Sequence, residues 1–389
     1  MLFMRRALPL CVVLALAGMP ACAGHDQTAA QPTASTVRTY YIAADELNWN
    51  YAPSGINQIT GKPFAGIARV YAVTTPHHIG PVYRKAVYRE YTDGTFTKLK
   101  PRPGDQQYLG ILGPVIHAQV GDTIKVVFKN NASRPYSIHP HGVLYEKASE
   151  GVAYADASGV DQAGGAVPPG HIFTYTWQVP ERAGPGPNDP SSIVWLYHSH
   201  VDEQKDVDAG LVGPIIITAR DMANPDGTPK DVDREIVTLF NYFDENQSWY
   251  LFRNVAEFAP AVKGKEIARG DPVDANGAFT LTGSGFVDSN FKATINGYIY
   301  GNGPKMEMKQ GQRVRWYLMT IGFGFNFHTP HWHGNTVLWN KQRTDVIALS
   351  PAQMVTVDMV PDNPGMWMYH CHVSDHMDSG MITMYQVDP

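Results

Sequence analysis

Toward the C-terminal end of this 389-residue chain, His370-Cys371-His372 is followed by His376 and then by Met381. A thiolate, three imidazoles and a thioether lie within twelve residues. Soft sulfur donors mixed with imidazole select copper, and one Cys, two His and a long axial Met form a blue-copper electron-transfer site. Cys371, His376 and Met381 offer three of those four ligands. Successive side chains of an extended strand face opposite sides. His370 and His372 therefore turn away from Cys371 and toward a different metal. One strand would join a one-electron site to a second centre.

Three further groups extend the pattern: His139-Pro140-His141, His198-Ser199-His200 and His328-Thr329-Pro330-His331-Trp332-His333. Together the four groups hold ten of the fifteen histidines. A lone His-x-His is often a pair on a strand with no metal. Four of them, one built around a cysteine and upstream of a methionine, argue for metal. Structural zinc needs only four ligands in one compact cluster, so ten histidines are too many for it.

The elements that must carry these groups read as strands. Ile124–Lys129, Ile193–Tyr197, Leu211–Thr218, Val314–Met319 and Met381–Val387 are short β-rich runs between turns, in a chain with 36 Gly and 29 Pro. No long stretch of helical period competes with them. The pattern predicts an all-β chain of Greek-key β-sandwiches. An internal repeat predicts two similar domains. Val120-Gly121-Asp122 followed by His139-Pro140-His141-Gly142 matches Lys309-Gln310-Gly311 followed by His331-Trp332-His333-Gly334. Trp195-Leu196-Tyr197-His198-Ser199-His200 matches Trp367-Met368-Tyr369-His370-Cys371-His372. The domains are expected at 38–220 and 234–389, joined by a Pro-, Asp- and Gly-rich linker at 221–233. Ser199 stands where the second half has Cys371, Leu211 stands for Met381, and no histidine matches His376. The first domain thus lacks a blue-copper site but offers four histidines to a shared one.

Residues 1–23 read as a signal peptide, with Arg5 and Arg6 before a short apolar stretch and Ala21-Cys22-Ala23 at its end. Residues 24–37 read as a flexible tether. The expectation is an exported protein, periplasmic or secreted. Cys22 offers a second reading, a lipid anchor on a membrane-attached lipoprotein. Cleavage after Ala23 leaves Cys371 as the sole cysteine of the three. A lone thiol in an exported protein cannot form an internal disulfide, and beside histidines it fits a metal ligand. Net charge is −5 with no long basic run, so nothing in the sequence suggests a nucleic-acid partner.

On these motifs the chain resembles the multicopper oxidases, and specifically a two-domain bacterial relative of ceruloplasmin and hephaestin, similar to two-domain laccases. Flanking segments carry the branch: Tyr40-Tyr41-Ile42-Ala43-Ala44, Lys85-Ala86-Val87-Tyr88, Asn131-Ala132-Ser133-Arg134-Pro135-Tyr136 and Ser248-Trp249-Tyr250-Leu251. The resemblance implies two cupredoxin-like domains and four coppers per chain: one type 1, one type 2 and two type 3. It implies His328, Cys371, His376 and Met381 at type 1, and His139 with His331 at type 2. It implies His141, His198 and His372 at one type 3 copper, and His200, His333 and His370 at the other. The function implied is oxidation of a reductant, one electron at a time, coupled to reduction of O2 to water. Cys371, flanked by His370 and His372, would pass the electrons inward. Tyr145 and Glu150 fall where two-domain laccases carry a tyrosine and an acid near the cluster, as electron donor and proton relay.

Phenols or aromatic amines, Fe(II) and Cu(I) are the candidate reductants. Asp288 and Asp375 fall at positions of an iron site, while Ala293 replaces a histidine expected there. Two-domain relatives imply a homotrimer with the clusters at chain interfaces. The rival readings are a copper nitrite reductase and a copper-binding or interaction module without turnover.

Overall fold

Ile124, Val126, Phe128 and Asn130 are buried along the strand Thr123–Asn130, and the residues between them are half-buried. That period of two is the signature of a strand with one covered face. It recurs through the chain, and the computed structural model, which describes residues 35–262, 285–322 and 326–389, is built from four sheets. The expected signal peptide, most of the tether and Cys22 lie outside the described residues.

In the first half, one sheet runs in the order Val82–Tyr91, Val37–Asn50, Thr123–Asn130, Ile172–Gln178, Leu144–Tyr145. The other runs Ile116–Gln119, Val212–Thr218, Ser192–His198, His139–Pro140. The second half repeats this plan. Arg234–Asp244 pairs in parallel with Val314–Met319, as Val37–Asn50 does with Thr123–Asn130. Met306–Lys309 pairs in parallel with Ile382–Asp388, as Ile116–Gln119 does with Val212–Thr218. The histidine strands also correspond, with His139 opposite His198 and His331 opposite His370.

The repeated His-x-His-Gly and Trp-x-Tyr-His motifs have one physical reason. Gly142 and Gly334 are left-handed (φ +77° and +73°), and a Cβ on either would lie 2.3 Å and 2.4 Å from the rings of Trp195 and Trp367. Only glycine allows the turn after each histidine pair to rest on the indole of the neighbouring strand.

One apolar core fills the first-half sandwich, around Ile42, Val126, Tyr175, Trp177 and Ile215. A second fills the second-half sandwich and continues into Leu112, Val194, Leu196 and Ile216 of the first half. Every residue of Val212–Thr218 is buried, which explains its near-continuous apolar run: both faces of that strand are covered. A buried ion pair, Lys85 Nζ to Glu245 Oε1 at 2.5 Å, ties the halves together.

The predicted strands are present, each within a residue or so of its sequence bounds. The helices were not foreseen. They are short, the longest among the described residues being Leu251–Phe258, too brief to print a helical period on the sequence. The segment 221–233 forms turns pinned by an Ala223–Pro229 bridge and by Thr218 Oγ1 donating to the Gly227 carbonyl.

Candidate metal centre

His328 precedes the strand Pro330–Trp332, whose Pro330 sits opposite Cys371. That register brings His328, Cys371 and His376 together, all buried. Nδ1 of His328 lies 3.1 Å from Nδ1 of His376, and Cys371 Sγ lies 3.9 Å and 3.7 Å from those two nitrogens. Metal–nitrogen bonds of about 2.0–2.1 Å and a metal–sulfur bond of about 2.3 Å set a trigonal donor spacing of about 3.5–3.8 Å. The three atoms therefore fit a small first-row cation. Their identity, two imidazoles and a thiolate, suits copper.

The surroundings fix which atoms face inward. His328 Nε2–H donates to Asn326 Oδ1 at 2.9 Å, leaving Nδ1 with a free lone pair. The Thr329 N–H donates to Cys371 Sγ at 3.3 Å. Met381 is fully buried, and its backbone bonds to both Cys371 and His376. Burial pushes the His328 imidazole pKa well below its ordinary value and that of His376 down to about 4. Neutral imidazoles are the form that binds metal. Burial pushes the Cys371 thiol up, so its ionisation calls for a cation.

A second group joins His331, His333 and His370. His370 Nδ1–H donates to the Cys371 carbonyl at 2.8 Å. Its Nε2 then lies 3.2 Å from His331 Nδ1 and 2.9 Å from His333 Nε2. The His372 ring packs 5.2 Å from that of His331. A third group joins His139, His141 and His198. His139 Nδ1–H donates to the Glu150 carbonyl and His198 Nδ1–H to the Ser199 carbonyl, at 2.7 Å and 3.0 Å. Both rings thus present Nε2, and His198 Nε2 is 3.2 Å from His141 Nε2. The His200 ring lies 5.3 Å from His139 and 5.5 Å from His198. Such carbonyl acceptors orient ligand histidines and set their tautomer.

Nine of the candidate ligands fall into these three groups, and the His200 and His372 rings pack beside them. The resemblance pairs His331 with His139 at one copper, whereas on this chain His331 groups with His333 and His370. Among the described residues, no metal-binding group draws histidines from both halves. The two sets open into separate clefts, one lined by His331 and His333 and the other by His139 and His141.

Tyr145 packs 5.9 Å from the His139 ring, and burial pushes its phenol pKa up. The Glu150 carboxylate is held by Lys147 and by Tyr154. Asp288 and Asp375 lie close enough to Tyr71 and Tyr242 to raise both phenols, after burial itself. The Tyr242 ring packs 5.2 Å from His376. Sequence reasoning missed Asn326, Thr329 and Asp206. The first two flank the candidate ligand His328, and the repeat aligns Thr329 with Ser137; that alignment was the available signal.

Two models of one family, described as multicopper oxidase, match residues 106–222 and 272–389. They cover both histidine-bearing halves. The chain belongs to the multicopper oxidase family. Within the multicopper oxidases it is 44% identical over 358 residues to the human ferroxidase HEPHL1, covering 91% of this chain and 29% of that protein. It is 41% identical over 375 residues to human hephaestin, covering 94% and 30%. It is 36% identical over 355 residues to human ceruloplasmin, covering 90% and 30%. The chain spans about 30% of the length of these curated relatives. A crystal structure of a multicopper oxidase superposes with TM-score 0.56 at 19% identity, covering 93% of each chain. A copper nitrite reductase from Nitrosomonas europaea superposes with TM-score 0.54 at 16% identity, covering 90% and 94%. The all-β, cupredoxin-like fold is therefore shared with both, and by itself it does not choose a reaction.

Proposed function

We propose that this chain is an exported multicopper oxidase that oxidises a reductant one electron at a time and reduces O2 to water. When bound, the coppers supply the one-electron steps and the site where oxygen is reduced. The observation that carries the reading is the adjacency of two ligand groups. Cys371 belongs to the buried His328–Cys371–His376 group, while its neighbour His370 belongs to the His331–His333–His370 group. A few covalent bonds and the His370 Nδ1–H bond to the Cys371 carbonyl separate them. The ligands expected from the resemblance are one type 1 set (His328, Cys371, His376, Met381) and a trinuclear set of eight histidines.

Tyr145 and Glu150 are proposed as electron donor and proton relay beside His139. Asp288 and Asp375 are proposed to gather a metal-ion substrate beside His376. Phenols, Fe(II) and Cu(I) remain the candidate reductants, and the relatives' names favour Fe(II).

The trinuclear set is proposed to close between chains, the first half of one meeting the second half of the next in a homotrimer. Support comes from the separate clefts and from the apolar rims beside them. Leu144 lines the first cleft and Val346 bridges His331 of the second, and they are 41% and 40% exposed. Closed cyclic symmetry makes head-to-tail contacts self-limiting. In this reading the halves 38–220 and 234–389 act as separate domains, and 221–233 as their linker. Export, with or without an anchor at Cys22, belongs to the same reading; among the described residues no helix is long and apolar enough to cross a membrane.

Copper content with light scattering tests it. The proposal expects four coppers per chain in a particle of three chains. One or two coppers per chain would favour a nitrite reductase or a binding module. A fully loaded, active particle with the mass of one chain would exclude the trimer.

A further inference from the structure

Ser199 occupies the place of Cys371, and the scaffold around the two is the same. The Ser137 N–H donates to Ser199 Oγ at 3.0 Å, as the Thr329 N–H donates to Cys371 Sγ at 3.3 Å. The His200 N–H donates to Ser137 Oγ at 3.0 Å, as the His372 N–H donates to Thr329 Oγ1 at 3.0 Å. The Ser199 N–H reaches the Leu211 carbonyl at 3.2 Å, as the Cys371 N–H reaches that of Met381 at 3.0 Å. What differs is the centre of the loop. In the second half it holds the donor atoms of Cys371 and His376. In the first half it holds the carboxylate of Asp206, which is fully buried.

That carboxylate gathers four donors. Its Oδ2 accepts from Ser199 Oγ–H at 2.7 Å, from the Val201 N–H at 3.0 Å and from the Asp202 N–H at 3.1 Å. Its Oδ1 accepts from Trp249 Nε1–H at 2.8 Å. The Trp249 ring in turn carries the Arg134 guanidinium 3.7 Å and Lys205 Nζ 4.4 Å from its centroid. The backbone carbonyl of Asp206 also accepts from Gly210 and Leu211, at 3.2 Å and 3.1 Å. One residue therefore holds both ends of the loop and the residues on either side of His200.

We infer that Asp206 is a positioning residue for His198 and His200, its buried carboxylate fixing in the first half the loop that a metal would fix in the second. Hydrogen bonds to an ionised acceptor are about twice as strong as neutral ones. The first-half loop is thus set before metal arrives. The second-half loop, with converging lone pairs at its centre, tightens only when a cation is supplied. In Asp206→Asn one oxygen becomes an NH2 group, and no placement of the amide satisfies all four donors. A buried donor left without an acceptor loses its solvation without replacement.

The inference rests on the copper reading of the histidines, and the experiment separates the two. Wild-type protein and Asp206→Asn are loaded with copper, and the blue type 1 band and the paramagnetic resonance of the type 2 copper are recorded with total copper. The expected result is an intact blue band with the affinity for the remaining copper lowered by roughly 10–100-fold, the usual cost of removing an orienting partner. A folded Asp206→Asn protein with wild-type affinity at both overturns the positioning role. Wild-type protein with no copper beyond the blue site overturns the copper reading instead. Hydrogen exchange of metal-free wild-type protein needs no variant to fold. Slow exchange at Val201 and Asp202, with fast exchange at His376–Met381 that slows on adding copper, is expected. Fast exchange at Val201 and Asp202 without copper contradicts the inference.

Discussion

The Nδ1 atoms of His328 and His376 face each other at 3.1 Å, with Cys371 Sγ beside both. Because His328 Nε2–H is committed to Asn326, the His328 Nδ1 lone pair is aimed into this space. Converging electron-rich atoms in a buried pocket are repulsive when empty and favourable around a cation. This one relationship turns the linear motif at 370–381 into a site.

Removing its sulfur is the simplest test of the site. Cys371→Ser should abolish the intense blue thiolate-to-copper absorption and stop turnover, while copper at the histidine groups is retained. Survival of the blue band would show that Cys371 is not its source.

Asn326 should matter nearly as much as a ligand, although it touches no metal. Its Oδ1 accepts from His328 Nε2–H and from the Tyr242 N–H, at 2.9 Å and 2.7 Å. Asn326→Ala should weaken type 1 copper binding by roughly 10–100-fold, with the blue band still forming at saturating copper. Titration with a competing chelator measures it; unchanged affinity would mean that packing alone sets the tautomer.

Asp288 and Asp375 are the proposed metal-ion acids. Acidic surroundings raise cation encounter rates by roughly 10–10³-fold. Replacing both with Ala should therefore lower kcat/KM for Fe(II) by about tenfold or more and leave phenol oxidation nearly unchanged. Equal losses for the two reductants would remove the case for a dedicated acid pair.

Lys292 makes stability depend on pH. It is fully buried, with Nζ donating to the Tyr71 and Ser289 carbonyls at 2.6 Å each. Burial lowers its pKa from 10.5 to about 7, against the attraction of Glu245 and with repulsion from Lys85. Between about 7 and 10.5 the unfolded chain holds a proton that the folded chain has released, so stability rises with pH across that window. It is fully gained above 10.5 and lost as pH falls through 7. The span corresponds to about 5 kcal/mol at 1.36 kcal/mol per unit. Lys292→Met removes this slope, so its stability relative to wild type should fall as pH is raised from 7 to 10. Parallel denaturation curves across that range would contradict the assignment.

The histidine clusters were legible because each histidine pair is local: a strand's period of two sets His370 and His372 apart from Cys371 whatever the rest does. The strands were legible for the same reason. Asn326, Thr329 and Asp206 were not, because a side chain's hydrogen-bond partner is a tertiary fact. Asp206 reads as one more polar residue in a turn until Ser199, Val201 and Trp249 are seen to converge on it. The grouping within one chain was also beyond the sequence, since spacing alone cannot say that His331 lies with His333 and His370. The short helices left no period to read.

The central claim is that electrons from a reductant leave this protein on oxygen as water. Oxygen uptake measured beside product formation, with Fe(II) and with a phenol as reductant, tests it most directly. Steady uptake by the copper-loaded protein is expected, with four reductant molecules oxidised per O2 and no peroxide released. No uptake above the metal-free protein, or two reductant molecules per O2 with peroxide accumulating, would contradict it.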